Sequence, residues 1–397
     1  MNYKSFTSIL FVVIFSVFTV QAQDVTSNRV QWHGFLTQGY FKTTDNSFFG
    51  NSENGSFDLT ELGLSGSYRA SENILLAGQV LSRNAGEMYD ASPSVDFLLA
   101  DIMLSSSETG KTGVRIGRTK NALGLYNETR DVAFTRPGIV VPEVIYYDKV
   151  RNLVLSADGI MFYHDIFTDN GNFSFTAGGG ETLVDKNVEI AYLFEDRLGE
   201  LEPDGVTWLF SGFFTTLDEQ FKLGISGALS SMNYTPGTGD FLADGSVDFK
   251  YWIASFQYNQ EKWSVSAEFM REPVRWNGFG LFFPDNELTA EAYYLQAAFQ
   301  IKPKVELMFR LEEGFSDKND RTGEKAAALS GGFLPAHSLY SKILTTGLRW
   351  DISPSIMVRA ELQFHEGTFI LSGRENENRA NLVKDWNLIS FLASYRF

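Results

Sequence analysis

"SIMVRAELQF", residues 355–364, alternates between two kinds of side chain. Ile356, Val358, Ala360, Leu362 and Phe364 fall on one face, and Met357, Arg359, Glu361 and Gln363 on the other. A period of 2 is that of a β-strand. The first face is wholly apolar, while the second puts full charges in mid-strand. A soluble sandwich also has one wet face. Charges opposite a greasy face fit better with hydrocarbon outside and water inside, the arrangement of a transmembrane barrel.

The pattern recurs. Tyr293, Leu295, Ala297, Phe299 and Ile301 oppose Gln296, Ala298 and Gln300. Val305, Leu307, Phe309 and Leu311 oppose Glu306, Met308, Arg310 and Glu312. Trp263, Val265, Ala267 and Phe269 alternate with Ser264, Ser266 and Glu268. Short connections at 70–73, 216–219, 259–262, 302–304 and 352–355 alternate with long ones near 42–56, 82–94, 119–151, 231–246, 272–290, 315–341 and 367–384. That is the rhythm of short periplasmic turns and longer outer loops.

The strand count depends on 152–204. If 188–194 lies in an outer loop, the chain closes as an all-β antiparallel transmembrane barrel of sixteen strands, the expectation adopted here. If 188–194 is a strand and 152–168 splits at Gly159, the count is eighteen. Sixteen strands enclose an aqueous channel unless something narrows it.

The chain ends are also informative. Residues 1–22 carry Lys4, an apolar run from Ile9 to Val20, and small or short residues at the −3 and −1 positions of a site after Ala22 (Val20 and Ala22), so they read as an export signal peptide removed after Ala22, with the barrel in 23–397. The last strand, "WNLISFLASYRF" (386–397), puts Ile389, Phe391, Ala393, Tyr395 and Phe397 on one face and stops on an aromatic residue. This ending resembles the C-terminal signature of bacterial outer-membrane barrels. The resemblance implies that Tyr395 and Phe397 form a signal read by the barrel-assembly machinery.

A second resemblance lies in "RIGRTKNALGLYNETRDVAFTRPGIVVPEVIYYDKVRNL", from Arg115 to Leu153. Its pattern of G-R, then G-L-Y-N-E-T-R-D, then R-P, then Y-Y is similar to that of a group of porin-like proteins of Gram-negative outer membranes, akin in outline to the phosphate-selective and dicarboxylate-type trimeric porins. The likeness spans roughly a tenth of the chain. It implies a cell outer-membrane location, lipid and lipopolysaccharide as surroundings, a homotrimer, and a third outer loop (119–151) folded into the pore. The segment is Arg-rich with only Lys120 and Lys149 as lysines, so the lysine ladder associated with phosphate selectivity is missing.

Charge gives that loop a role. The chain carries 33 basic and 49 acidic residues, net −16, and no nucleic-acid partner is expected of it. Between Arg115 and Arg151 the balance reverses, with seven basic residues against four acidic ones. At a constriction with low-dielectric walls, fixed charge concentrates the opposite ion, and arginine suits carboxylate or phosphate oxygens. The expected constriction residues are Arg118, Lys120, Arg130, Arg136 and Arg151, with Glu128 and Asp131 opposing, and the expected solutes are small, polar or anionic.

Other chemistry finds little support. The chain has no Cys, and His33, His164, His337 and His365 show no metal-ligand spacing, so neither a metal nor a cofactor is expected. "GGGE" (178–181) lacks the Lys-Ser/Thr of a phosphate loop. The acidic loops at 237–246 and 317–324 match no calcium template. Tyr146–Tyr147, Phe213–Phe214 and Tyr293–Tyr294 read as interfacial girdle or barrel packing. No Ser–His spacing diagnostic of a hydrolase occurs, so a non-enzymatic porin is expected. The alternative is a non-channel barrel, either structural and adhesin-like or a barrel hydrolase.

Overall fold

Each segment that alternates in the sequence forms one tilted strand of a single antiparallel sheet that closes on itself. The computed structural model describes residues 29–331 and 334–397, so the expected signal peptide lies outside the described residues. The strands are β1 (Val30–Thr43), β2 (Ser56–Arg69), β3 (Ile74–Ala85), β4 (Tyr89–Ser107), β5 (Gly110–Lys120), β6 (Ser156–Thr168), β7 (Gly171–Thr182), β8 (Glu200–Pro203) and β9 (Thr207–Thr216). They continue as β10 (Phe221–Thr235), β11 (Gly245–Asn259), β12 (Trp263–Asn277), β13 (Asn286–Lys302), β14 (Val305–Phe315), β15 (Tyr340–Asp351), β16 (Ile356–Gly367) and β17 (Asp385–Arg396). Leaving β8 aside, each pairs with the strands before and after it in the chain, so that β7 pairs with β9, and β17 closes the ring on β1 through pairs such as Leu36 with Tyr395 and Tyr40 with Phe391. The short β8 stands outside this ring of sixteen and pairs with the outer end of β10, where β9 has stopped.

The barrel is inside-out relative to a soluble protein. Leu295, Phe299, Phe309, Leu311, Leu344, Phe364, Ile389 and Phe391 are 42–56% exposed, whereas the interleaved Arg310, Glu312, Arg359, Glu361 and Gln363 are 1–4% exposed. Each large apolar side chain left in water forgoes about 1.5–3 kcal/mol of transfer free energy. Only hydrocarbon around the barrel makes such an exterior favourable. Closure removes every strand edge, so all the backbone groups of the wall can bond within the sheet, which a lipid environment requires.

The inner turns are short: 70–73, 108–109, 169–170, 217–220, 260–262, 303–304 and 352–355. The outer connections are L1 (44–55), L2 (86–88), L3 (121–155), L4 (183–206), L5 (236–244), L6 (278–285), L7 (316–339) and L8 (368–384). L2 departs from expectation. Residues 82–94 read as a long loop, but β3 and β4 stay paired up to Asn84 and Asp90. Gly86, at φ +54°, helps to close the turn, and the Met88 N–H donates to Ala85 O at 3.1 Å.

Two further differences fall in 152–204. The strand expected from 152 begins at Ser156, after a helical turn α1 (Arg151–Leu155). Residues 188–194 belong to L4 and form most of a helix, α2 (Lys186–Leu193), which settles the count at sixteen. Asp185 caps α2 by accepting the Val188 N–H at 3.0 Å.

Candidate pore constriction

L3 turns into the barrel and fills much of its cross-section. Its apolar residues Ile139, Val144 and Ile145 are at most 1% exposed and pack in one cluster with the wall residues Phe41, Met270 and Tyr294. Tyr146 and Tyr147 belong to this buried loop, so they are not interfacial girdle residues. Gly124, at φ +62°, lets the chain bend inward beside Tyr146 and Glu268, where a Cβ would not fit.

The wall holds the loop through its mid-strand charges. Glu268 on β12 accepts the Leu125 N–H at 2.9 Å, Ser255 Oγ at 2.6 Å, Tyr146 Oη at 2.5 Å and Tyr294 Oη at 3.0 Å. On β14, Arg310 donates to Val140 O at 3.1 Å and to Glu312 at 2.6 Å, and Glu312 accepts the Val144 N–H at 3.4 Å. On β16, Arg359 donates to the carbonyls of Gly138 and Arg136, and Glu361 accepts the Ile139 N–H. Tyr251 donates to Ile145 O at 2.5 Å. These charges face backbone rather than bulk water. L3 has only short helical turns to satisfy its own N–H and C=O groups, so the strands supply many of the remaining partners.

On the opposite wall the loop meets a charge cluster around a small cavity. Arg83 on β3 bridges Glu61 at 3.0 Å and Asp148 at 2.7 Å. Arg130 donates to Asp148 at 3.3 Å and to Tyr146 O at 2.8 Å. Asp131 takes both Arg151 and Lys120, and Lys120 also reaches Asp96 on β4 at 2.7 Å. Arg136 caps the loop's own carbonyls at Ile139 and Arg130. Among the described residues, Arg83 Nη1, Arg130 Nη1 and Arg310 Nη2 find no acceptor, and Glu61 Oε2 and Asp96 Oδ1 find no donor. Buried polar atoms in such a state are the places for bound water or a passing ion.

The structure thus gathers Lys120, Arg130, Asp131, Arg136 and Arg151 inside the barrel. Glu128 is exposed and unpaired among the described residues. Arg118 requires a correction. It pairs across the sheet with Leu98, 61% exposed, and with Asp158, which it binds through two bonds of 2.7 and 2.6 Å. Ile116 and Ile160, two residues away, also face outward, at 44% and 46% exposure. Arg118 therefore belongs to the exterior and not to the constriction. Sequence reasoning missed Glu61, Arg83 and Asp96 and the docking role of Glu268, Arg310, Glu312, Arg359 and Glu361. The signal was present in the i, i+2 pairs of opposite charge within strands, which need partners once they point inward.

A closed sixteen-stranded barrel with an apolar exterior and an inward third loop is the fold of outer-membrane porins, and the chain has this fold. Among solved structures it is similar to OmpT, an outer-membrane protein of Vibrio cholerae, with TM-score 0.57 and 13% identity over 95% of this chain and 100% of that one. It is also similar to the anion-selective porin from Comamonas acidovorans (0.57; 12% identity; 93% and 99%) and to the outer-membrane channel DcaP of Acinetobacter baumannii (0.57; 11%; 93% and 97%). At these identities the likeness is one of fold. No family model matches the chain, and no curated protein matches it either.

Proposed function

We propose that the protein is a passive diffusion channel of the outer membrane for small hydrophilic solutes, biased toward organic anions. The observation that carries this reading is L3, folded across the lumen and pinned to the wall, with guanidinium donors of Arg83, Arg130 and Arg310 left without protein acceptors. Preorganised donors in a narrow, low-dielectric passage favour anions over cations. One structural relative is an anion-selective porin by name, which agrees with the bias. A homotrimer agrees with the trimer form described for OmpT of Vibrio cholerae. Outer-membrane lipid, lipopolysaccharide and the assembly machinery are the proposed partners, the last reading Tyr395 and Phe397.

Planar-bilayer recording of the purified protein tests the proposal. A salt gradient should give a reversal potential displaced toward that of the anion, and absence of conductance would remove the channel reading. Replacing Arg130 and Arg136 by Ala should lower anion preference. Because Arg136 also holds loop carbonyls, the same change should raise conductance. Unchanged reversal potentials would reject the eyelet assignment. One observation favours a non-channel barrel, namely how densely L3 fills the lumen, and the same recording separates the two readings.

A further inference from the structure

On the outer side of the constriction a cleft opens between the return limb of L3, helix α2, and loops L7 and L8. Sixteen residues line it, and none of them is Asp or Glu, in a chain of net charge −16. Two cations enter it from different elements, Lys149 of L3 and Arg379 of L8. The basic residues deeper in the loop behave differently, since Lys120, Arg130 and Arg151 are each bound to a carboxylate. Neither Lys149 nor Arg379 forms an ion pair among the described residues. The Lys149 ammonium donates to Phe369 O and sits 4.3 Å from the Phe369 ring centroid. An ammonium has three protons to donate, so two remain for another acceptor. The Arg379 guanidinium lies 5.6 Å from the Phe194 ring centroid. Burial, followed by the nearby Arg379 charge, holds the Lys149 amine down to about 7. Glu272 and Glu143 lie near Lys149 and Glu195 near Arg379, but none of them forms an ion pair with either cation or lines the cleft; an anion between Lys149 and Arg379 would offset their mutual repulsion. The remaining walls are apolar, with Ile190, Phe194 and Phe369 among them.

We infer that this cleft is a binding site for a small organic carboxylate with an apolar body, its carboxylate held between Lys149 and Arg379 and its body lying on Phe194 and Phe369. The inference rests on the channel reading for its purpose: an anion captured here waits at the outer mouth before it meets L3. Its binding chemistry is independent of conduction.

Sodium benzoate titrated into the intact, detergent-solubilised protein tests the site, with binding followed by saturation-transfer NMR. Wild-type protein should bind benzoate and not benzyl alcohol, which has the same body without the charge. Lys149→Gln and Arg379→Gln should each weaken binding about tenfold, the loss of one charge-assisted contact. Arg379→Lys should retain much of it, and every variant should keep the heat-modifiable gel migration of a folded barrel. No binding of benzoate, equal binding of benzyl alcohol, or equal affinity in wild type and both Gln variants would overturn the site. Bound benzoate in a protein that conducts no ions would uphold the site and reject the channel. Conduction without binding would do the reverse.

Discussion

At the scale of single residues, a charge on a barrel strand can serve either face of the wall, and its cross-strand neighbours show which. Arg118 shares its face with Ile116, so its guanidinium and Asp158 lie outside the barrel near the outer end of β5 and β6. Arg118→Ala should therefore leave the reversal potential in a salt gradient unchanged, in contrast to the double replacement of Arg130 and Arg136. Local charge density groups Arg118 with the constriction residues, and alternation alone does not separate them, since Lys120, two residues on at the end of β5, turns in to Asp96 and Asp131. Glu375 of L8 shows how a loop carboxyl responds to pH. It accepts the Gly50 N–H at 2.6 Å and the Phe49 N–H at 3.1 Å, so it clasps L8 to L1. Burial raises its pKa from 4.5 to about 7 against the lowering effect of these bonds. A carboxyl raised in the folded state stabilises that state when protonated. Its contribution is complete below the ordinary carboxyl pKa and is lost as pH rises through about 7. Protease nicking of L8 should thus accelerate between about pH 4.5 and pH 7 and level off above that. Glu375→Gln, which stays neutral, should remove that dependence. A flat profile in the wild type would show that the clasp does not titrate in this range.

At the scale of elements, the wall was legible wherever lipid selects its residues and illegible where it rises above the bilayer. Within the membrane, every outward position must be apolar, so the period of 2 is visible in β13, β14, β16 and β17. At the outer ends of β3 and β4, "SRNAGEMYDASPSVD" (82–96) carries Asn84, Gly86 and Pro93 and reads as a loop, yet the ladder continues through Ser82–Pro93 and Asn84–Asp90. No hydrocarbon acts on that part of the hairpin, so nothing selects alternation there, and register shifts break the period further. L3 was legible by its length and charge. Its attachment was not, because the partners lie 65 to 223 residues away in sequence, as with Asp148 to Arg83, Gly124 to Ser226 and Arg136 to Arg359. Since L3 is bound through wall charges and carries none of the sheet's hydrogen bonds, it should be dispensable to the barrel. Replacing 125–150 by a short Gly-Ser linker should give a protein that still folds and shows heat-modifiable migration, with single-channel conductance raised several-fold. The bared Arg310, Glu312, Arg359 and Glu361 would then be hydrated by lumen water. Conductance no greater than that of the intact chain would mean that the narrowing lies elsewhere in the barrel.

At the scale of the whole molecule, stability depends on which solvent each face meets. The interior is polar and packed against L3, and the exterior is a continuous apolar surface broken by few charges such as the Arg118–Asp158 pair. A soluble barrel with the same strands would carry the opposite assignment, and one substitution separates the two cases. Leu311 lies near the middle of β14, is 56% exposed, and stands between Leu295 and Leu344 on the outer face. In hydrocarbon, Leu311→Arg should cost about 2–4 kcal/mol, the depth-dependent penalty for arginine at a bilayer midplane. In water the same exposed position would accept arginine at almost no cost. Folding equilibria in urea, measured for insertion into lipid vesicles, give the difference directly. A variant as stable as wild type would place this face against water, and with it would go the location of the barrel. A loss of the expected size would fix the depth of β14, and through the shared register of Leu295, Leu311 and Leu344 it would locate the bilayer on three neighbouring strands.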